Sequence, residues 1–526
     1  MIRIISDFIP IPQIVKLLVG KRHSRRIILV GLFFHFLIQT QAKELISQRS
    51  DSVLFQILNL RTETAHQMLS QLQLENPGKL YYEYLSNWRE VIELVAYDDE
   101  DRYKAYQNSF DQRIERIASN YDKTAPEYNI LLGEIYAHGG MANLMFGDYL
   151  SGFNKIVKTN RFAKKNNKEH HEYWLNDKLY GILNVSLGQV PSVLKWFTNL
   201  LGLTGDPEEG YSMLNRYLAT VDGYPGLKSE ALLYYAFGLK MTKDEELACE
   251  MFEKNIRVGD SPALALFLKA NLLYKTGNND AAIDVLAFLQ AEQEEIPFHH
   301  IDYMTGKAKQ HRLDEDSDVV MLKFLEDSNL KNYKKEICMR LAYHYYIQGD
   351  LEKYDSYKVK VADYPKSTTD RDREADVENE RPYDPHLELL KVRFLSSGNY
   401  FARANEIMKT IEPQELDNPA FQAEYYLLQA KIQFGRQQYA KAIESCNTSI
   451  KIGEELDEPY AAEAALLAGI AAERQGDADN AESYWKLALK FNRKDVYFEN
   501  IHKKAKNRLN QDSARNNNEE VQFSSK

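Results

Sequence analysis

Apolar residues recur along this chain at three- and four-residue intervals with charged residues between them, the signature of helices that bury one face. The longest strongly apolar passage beyond the N-terminus, Tyr180–Leu218, shows the pattern most fully. A helical run through Ile182 and Val185 reaches Gly188 and Gln189 and is interrupted by Pro191, which has no N–H to donate. A second apolar run, from Val193 to Leu201, ends at Gly202-Leu203-Thr204-Gly205, a turn. Asp206 then reads as an N-cap, Pro207 as the first helical residue and Glu209 as the reciprocal capping acid. The predicted order is helix, sharp turn, buried helix, turn, helix.

Toward the C-terminus the helices come in pairs. Ala461–Phe491 carries Gly469, Gly476-Asp477, Ala481, Trp485 and Ala488, which resemble the small-residue, turn, alanine, aromatic and alanine positions of a tetratricopeptide repeat. Small residues let two antiparallel helices approach, the Gly-Asp pair makes the turn, and the tryptophan fills the space between. Phe421–Ile452 matches with Ala430, Tyr439, Ala442 and Cys446, and Ala263–Gln290 with Ala270, Gly277-Asn278, Ala282 and Leu286. Weaker copies surround Ala236, Ala248 and Phe252, and Gly398-Asn399-Tyr400 with Ala404. Ala442 and Ala481 lie 39 residues apart, wider than the ~34 of a regular repeat, so the repeats are irregular. The expected fold is all-α: an irregular tetratricopeptide-like solenoid behind a non-repeat helical N-terminal part.

The expected division is 1–42 as a leader, 43–179 as an N-terminal helical region and 180–218 as a helical junction. Repeats follow at 219–362 and 387–500, separated by a charged segment at 363–386. In the N-terminal region helices are expected at Leu80–Tyr97, Tyr103–Tyr121 and Pro126–His138, with Gly139-Gly140 opening a turn or kink before Met141–Val157. Segment 363–386 is charged, poor in large apolar residues and bounded by Pro365, Pro382 and Pro385, which predicts a loop or exposed helix. Residues 507–526 read as a disordered polar tail.

Low glycine (25) and proline (15) in 526 residues favour long helices, and a net charge of −11 argues against nucleic acid as the main partner. The exception to the acidity is Lys21-Arg22-His23-Ser24-Arg25-Arg26, followed by the apolar run Ile27–Ile38 and Thr40-Gln41-Ala42. Charged region, short apolar core and small-residue site read as a secretory signal, and the run is short for a spanning helix. The expectation is a periplasmic or secreted protein with no stable membrane span after processing. The alternative is a membrane-anchored or cytoplasmic chain if the N-terminus is kept. Cys249, Cys338 and Cys446 are too scattered for a disulfide framework or metal site and are expected as buried free thiols.

Tyr180–Leu218 also resembles the signature of the eukaryotic tetratricopeptide repeat 39 family, whose fungal branch is named for inclusion-body clearance. The matching positions are Gly181, Leu187, Pro191, Leu194, Phe197, Gly202, Gly205, Asp206, Gly210 and Leu214, and Pro225 resembles the family's later tyrosine-proline element. The resemblance spans residues 130–490 and implies an all-helical repeat protein without known catalytic residues. The eukaryotic members are intracellular, so an export signal is a departure from them.

Candidate chemistry is sparse. Adjacent histidines at 170–171 and 299–300 point about 100° apart on a helix and converge poorly on one ion. Gly202–Asp206 lacks a following lysine, and its acids would repel a phosphate. Leu427 and Lys431, then Leu466 and Ile470, are the expected groove-facing residues, giving an apolar or mixed groove unsuited to clamping a carboxylate. The sequence therefore predicts no catalytic residue, no metal site and no cofactor. Its structural signature residues are Gly181, Pro191, Gly202, Gly205, Asp206 and Gly210. Two functions compete: a scaffold or adaptor for protein or peptide partners, and a carrier of a lipid or other apolar ligand lined by Val190–Leu203.

Overall fold

The computed structural model describes residues 46–188, 202–242, 245–293, 295–365 and 369–524. Among these, twenty-four α-helices and one short 3-10 turn occur and no strand. The fold is an all-α, irregular helical-repeat architecture. Pro191 and the leader fall outside the described residues. The chain divides into two compact units: one runs to Leu272 and includes Phe288–Phe298, the other comprises Leu273–Ala287 and the chain from His299 onward.

The first unit contains α1 (Gln48–Leu58), α2 (Thr62–Glu75), α3 (Leu80–Tyr97), α4 (Glu100–Asn120), α5 (Pro126–Met145) and α6 (Tyr149–Glu169). It continues with α7 (Asn176–Gly188), α8 (Pro207–Thr220), α9 (Pro225–Thr242), α10 (Glu245–Asn255) and most of α11 (Ala263–Lys275). Neighbouring helices pair, α5 with α6 and α7 with α8, while α9 returns to pack on α1. Helix α5 runs unbroken through Gly139-Gly140, contrary to the expected turn. These glycines serve packing: a Cβ on Gly139 would stand 2.6 Å from the Phe110 ring, and one on Gly140 3.2 Å from the Gly152 carbonyl. The turn comes later, at Gly147.

The α7–α8 pair explains most of the signature glycines. A Cβ on Gly210 would sit 2.6 Å from the Gly181 carbonyl oxygen, and one on Gly205 2.4 Å from that of Asn184. The two helices thus cross backbone to backbone, closer than any side chain permits. Gly202, at φ +68°, occupies the left-handed region at the turn. Asp206 accepts from the N–H groups of Glu208 and Glu209 at 2.9 and 3.2 Å, and its own N–H donates to Asn184 at 3.1 Å.

The second unit begins at Leu273, in the last turn of α11, and takes in α12 (Asn279–Ala291) as far as Ala287. Hairpins follow: α13 (His300–Arg312) with α14 (Ser317–Asp327), and α15 (Lys334–Gln348) with α16 (Leu351–Asp363). After α17 (Asp370–Asn379) come α18 (Leu387–Ser397) with α19 (Phe401–Met408), α20 (Pro419–Gly435) with α21 (Tyr439–Gly453), and α22 (Tyr460–Arg474) with α23 (Ala478–Ala488). Helix α24 (Val496–Ser524) closes the series. The repeat grammar is visible at atomic level. A Cβ on Gly469 would lie 2.3 Å from the indole nitrogen of fully buried Trp485, so α22 and α23 touch where the small residue stands. Ala430, Ala442, Cys446, Ala481 and Ala488 are all buried.

Beyond the early turns of α24, where Phe498, Ile501 and Ala505 pack with Ala481, Trp485 and Ala488, residues 507–524, expected as a disordered tail, continue the helix. The charged segment, expected as a loop or exposed helix, holds α17, whose partners are described next.

Candidate functional site

Residues 369–386 form a strap across the first helices of the hairpins in the second unit. Thr369 caps α17, accepting from the Asp372 N–H at 3.3 Å. Asp372 in turn accepts from the backbone N–H groups of Tyr333 and Glu336 at 2.7 and 3.0 Å. Helix α15 starts at Tyr333, in the left-handed region and without a cap of its own, so this distant acid serves as its N-cap.

Glu378, near the end of α17, is the hub. It accepts from the Tyr343 hydroxyl on α15 and, at 2.8 Å, from the Tyr497 hydroxyl on α24. The guanidiniums of Arg393 and Arg381 stand at 3.4 and 3.8 Å. Burial alone would raise the carboxyl pKa, but the two guanidiniums and the hydroxyl donors overcome it and hold Glu378 down at about 2. Arg393 also donates to Glu424 of α20 at 2.8 Å, and Tyr460 of α22 reaches the same carboxylate at 3.4 Å. Beyond α17, Asp384 accepts from the Tyr354 hydroxyl at 2.6 Å. A small cleft, partly open to solvent and with room for about one water, sits here, lined among others by Tyr354, Lys358, Arg381, Arg393, Glu424 and Tyr460.

This corrects the expected groove. Leu427 and Leu466 belong to packed cores, and Lys431 is engaged with Glu463 at 2.8 Å. The face that carries chemistry is one step round each first helix, at Tyr343, Arg393, Glu424 and Tyr460, and it is charged and aromatic. Such a face orients polar side chains and hydrogen-bonds them; it has no donor–acceptor pair placed on a nucleophile.

A second buried charge cluster lies in the first unit. Lys178, 1% exposed, stands 2.6 Å from Glu134 and 2.9 Å from Glu230, both wholly buried. Glu230 also accepts from the Tyr84 hydroxyl and from the Trp88 indole at 2.7 Å. Two carboxylates share one ammonium, and burial raises Glu134 to about 7. The cluster is packed solid by Tyr81, Tyr84 and Tyr217 and joins α3, α5, α7 and α9. It is an internal tie.

The expected signature residues lie apart from both clusters. Gly181, Gly205, Asp206 and Gly210 gather at the α7–α8 contact and Gly202 lies at the turn beside it, while Pro191 lies outside the described residues. The three cysteines are buried as free thiols. His170 and His171 sit at the end of α6, and among the described residues no group of three metal-capable side chains converges. Nor is any described helix long and apolar enough to cross a membrane.

No family model matches this chain, and no curated protein matches it. Among solved structures it is similar to the tetratricopeptide-repeat domain of P58(IPK), at 13% identity and TM-score 0.19, over 82% of this chain and 99% of that one. It is also similar to the apo form of the quorum sensor NprR from B. thuringiensis, at 13% identity and TM-score 0.21, over 85% of this chain and 99% of that one. TM-scores this low carry no structural argument, and the repeat character rests on the hairpins themselves.

Proposed function

We propose that the protein is a non-enzymatic scaffold that binds protein or peptide partners through the first-helix face of its second unit. The single observation behind this reading is the row Tyr343, Arg393, Glu424 and Tyr460, which gathers charged and aromatic groups from α15, α18, α20 and α22 at one pocket. Successive hairpins present such rows to extended or helical segments. The charged lining counts against the lipid-carrier alternative, which rests on Val190–Leu203, a stretch largely outside the described residues.

We further propose kinship with the tetratricopeptide repeat 39 family on the α7–α8 glycines, and export on residues 21–42. The partner-binding reading is tested by a photo-crosslinking amino acid placed at Tyr354, which lines the pocket, and at Glu482, half-buried on α23. Discrete heavier species from position 354 and none from 482 are expected in cells. Identical patterns from both positions, or none from either, refute it.

A further inference from the structure

Helix α17 is fixed to the second unit chiefly by polar contacts, while Tyr383 beyond it packs edge-on against Phe421. In α17 only Asp372 and Ala375 are fully buried and Val377 is half-buried, so its apolar anchor is small. Its sequence, DRDREADVEN, carries five acids and two arginines. Residues four apart share a helix face, and the acids use this in two rows. Asp372 and Asp376 address α15, through the backbone N–H groups at its start and the Lys335 ammonium at 2.6 Å. Glu374 and Glu378 address α24, through Asn500 at 3.1 Å and Tyr497 at 2.8 Å, and Glu378 also meets Tyr343 and Arg393. The covered face is thus a set of donors spaced for carboxylates. A helix held this way releases more readily than the apolar hairpins beneath it, because water or other carboxylates can replace each contact.

We propose that the strap is a resident stand-in. The face formed by α15, α18 and α24 is an interaction surface for an acidic helix of a partner protein, with carboxylates at i and i+4 in two adjacent rows. The strap covers that face until such a helix displaces it. This rests on the reading of the protein as a partner-binding scaffold and names the chemistry of the partner.

The test uses the full chain with Asp376→Asn and Glu378→Gln, which neutralise one carboxylate in each row and leave the Asp372 cap intact. Hydrogen exchange at 369–386 is expected to rise about tenfold while α15 and α18 stay protected. A fluorescein-labelled synthetic peptide of residues 369–386 is expected to bind this variant at least about tenfold tighter than it binds wild type, whose own strap competes. Unchanged exchange in the strap overturns the proposal. So does a released strap with no peptide binding, or with equal binding to both proteins. If the variant loses protection throughout α15 and α18, wild type decides. Raising salt from about 0.05 to about 0.5 M is expected to speed exchange in the strap alone, and no change overturns the proposal. Position-specific crosslinking from residue 354 that persists when the peptide fails leaves the scaffold reading standing and removes only this one.

Discussion

Replacing Gly210 by alanine tests whether the α7–α8 crossing is set by backbone contact. The added Cβ would lie 2.6 Å from the Gly181 carbonyl oxygen and 2.8 Å from both the Val185 nitrogen and its Cγ2. Two of these are backbone atoms of a packed helix and cannot rotate aside, so the helices must separate. Overpacking of this kind costs about 1–3 kcal/mol, and backbone opponents place Gly210 near the upper end. Against it stands the gain of about 1 kcal/mol for alanine over glycine inside a helix. The net expectation is a loss of about 2 kcal/mol, which lowers the melting temperature of a unit this size by roughly 4–8 °C. The assay is thermal unfolding followed by far-UV circular dichroism. Gly223→Ala is the control, since nothing lies within 4 Å of its would-be Cβ and its φ is not in the left-handed region. It is expected to be neutral or to gain up to about 1 kcal/mol through the unfolded chain. Equal melting temperatures for Gly210→Ala and wild type, or equal losses in both variants, refute the reasoning.

Lys178→Met removes the cation between Glu134 and Glu230 and is expected to cost about 3–5 kcal/mol by urea unfolding. Adding Glu230→Gln should restore part of it, and no restoration counts against the charge argument. Glu134 is raised in the fold from an ordinary 4.5 to about 7, so the native state binds its proton more tightly between those values. Its contribution is present at low pH and lost as pH climbs through about 7, and Glu134→Gln should flatten the decline in melting temperature between about pH 5 and 7.5. Glu378 has the opposite sign: lowered to about 2, it stabilises above its ordinary 4.5 and loses that contribution as pH falls toward 2. Glu378→Gln should therefore shrink the acid-induced loss. Asp206→Ala removes the carboxylate oxygen that accepts from two N–H groups at the start of α8 and should cost ~1 kcal/mol, read as a lower urea midpoint. N-terminal sequencing of protein from fractionated cells should find Lys43 as the first residue, and an intact Met1 in the cytosol defeats the export proposal.

What was legible in the sequence is what physics makes local. Helix α3 falls at Leu80–Tyr97, where apolar spacing placed it, and the Gly469–Trp485 contact follows from the small and large residues of one hairpin. Glycine proved ambiguous for a physical reason. Gly139-Gly140 and Gly476 look alike in a string of letters, yet the first pair lies mid-helix against Phe110 and Gly152, and the last turns the chain at φ +82°. Which role a glycine plays depends on whether another element crosses there, and that is decided by tertiary packing. The groove residues were missed for the same reason. Leucines at 427 and 466 mark the side that packs into the hairpin cores, so the charges fall on the side that the strap covers.

The strap was misread because its logic is long-range. Composition alone, charged and proline-flanked, says that residues 363–386 cannot build a core, and that remains true: Ala375 is the one apolar residue that α17 buries fully. What composition cannot show is that other helices lack something the segment supplies. Helix α15 begins at Tyr333 without a cap, and Asp372 provides one. Helix α2 begins after Arg61 without a cap, and Glu295 accepts from the N–H groups of Glu63 and Thr64 at 2.8 and 3.3 Å. Asp51 does the same at the start of α9, accepting from Gly226 and Leu227 at 3.0 and 2.8 Å. Each of these carboxylates lies far along the chain from the helix start it completes, so no capping motif read in a window of residues can find it. The signal is the deficit: a helix start with strong periodicity and no Ser, Thr, Asp or Asn at the cap position itself. An acid-rich segment of otherwise unexplained sequence elsewhere in the chain is then a candidate for the missing cap, and by that rule α17 was the segment to ask about.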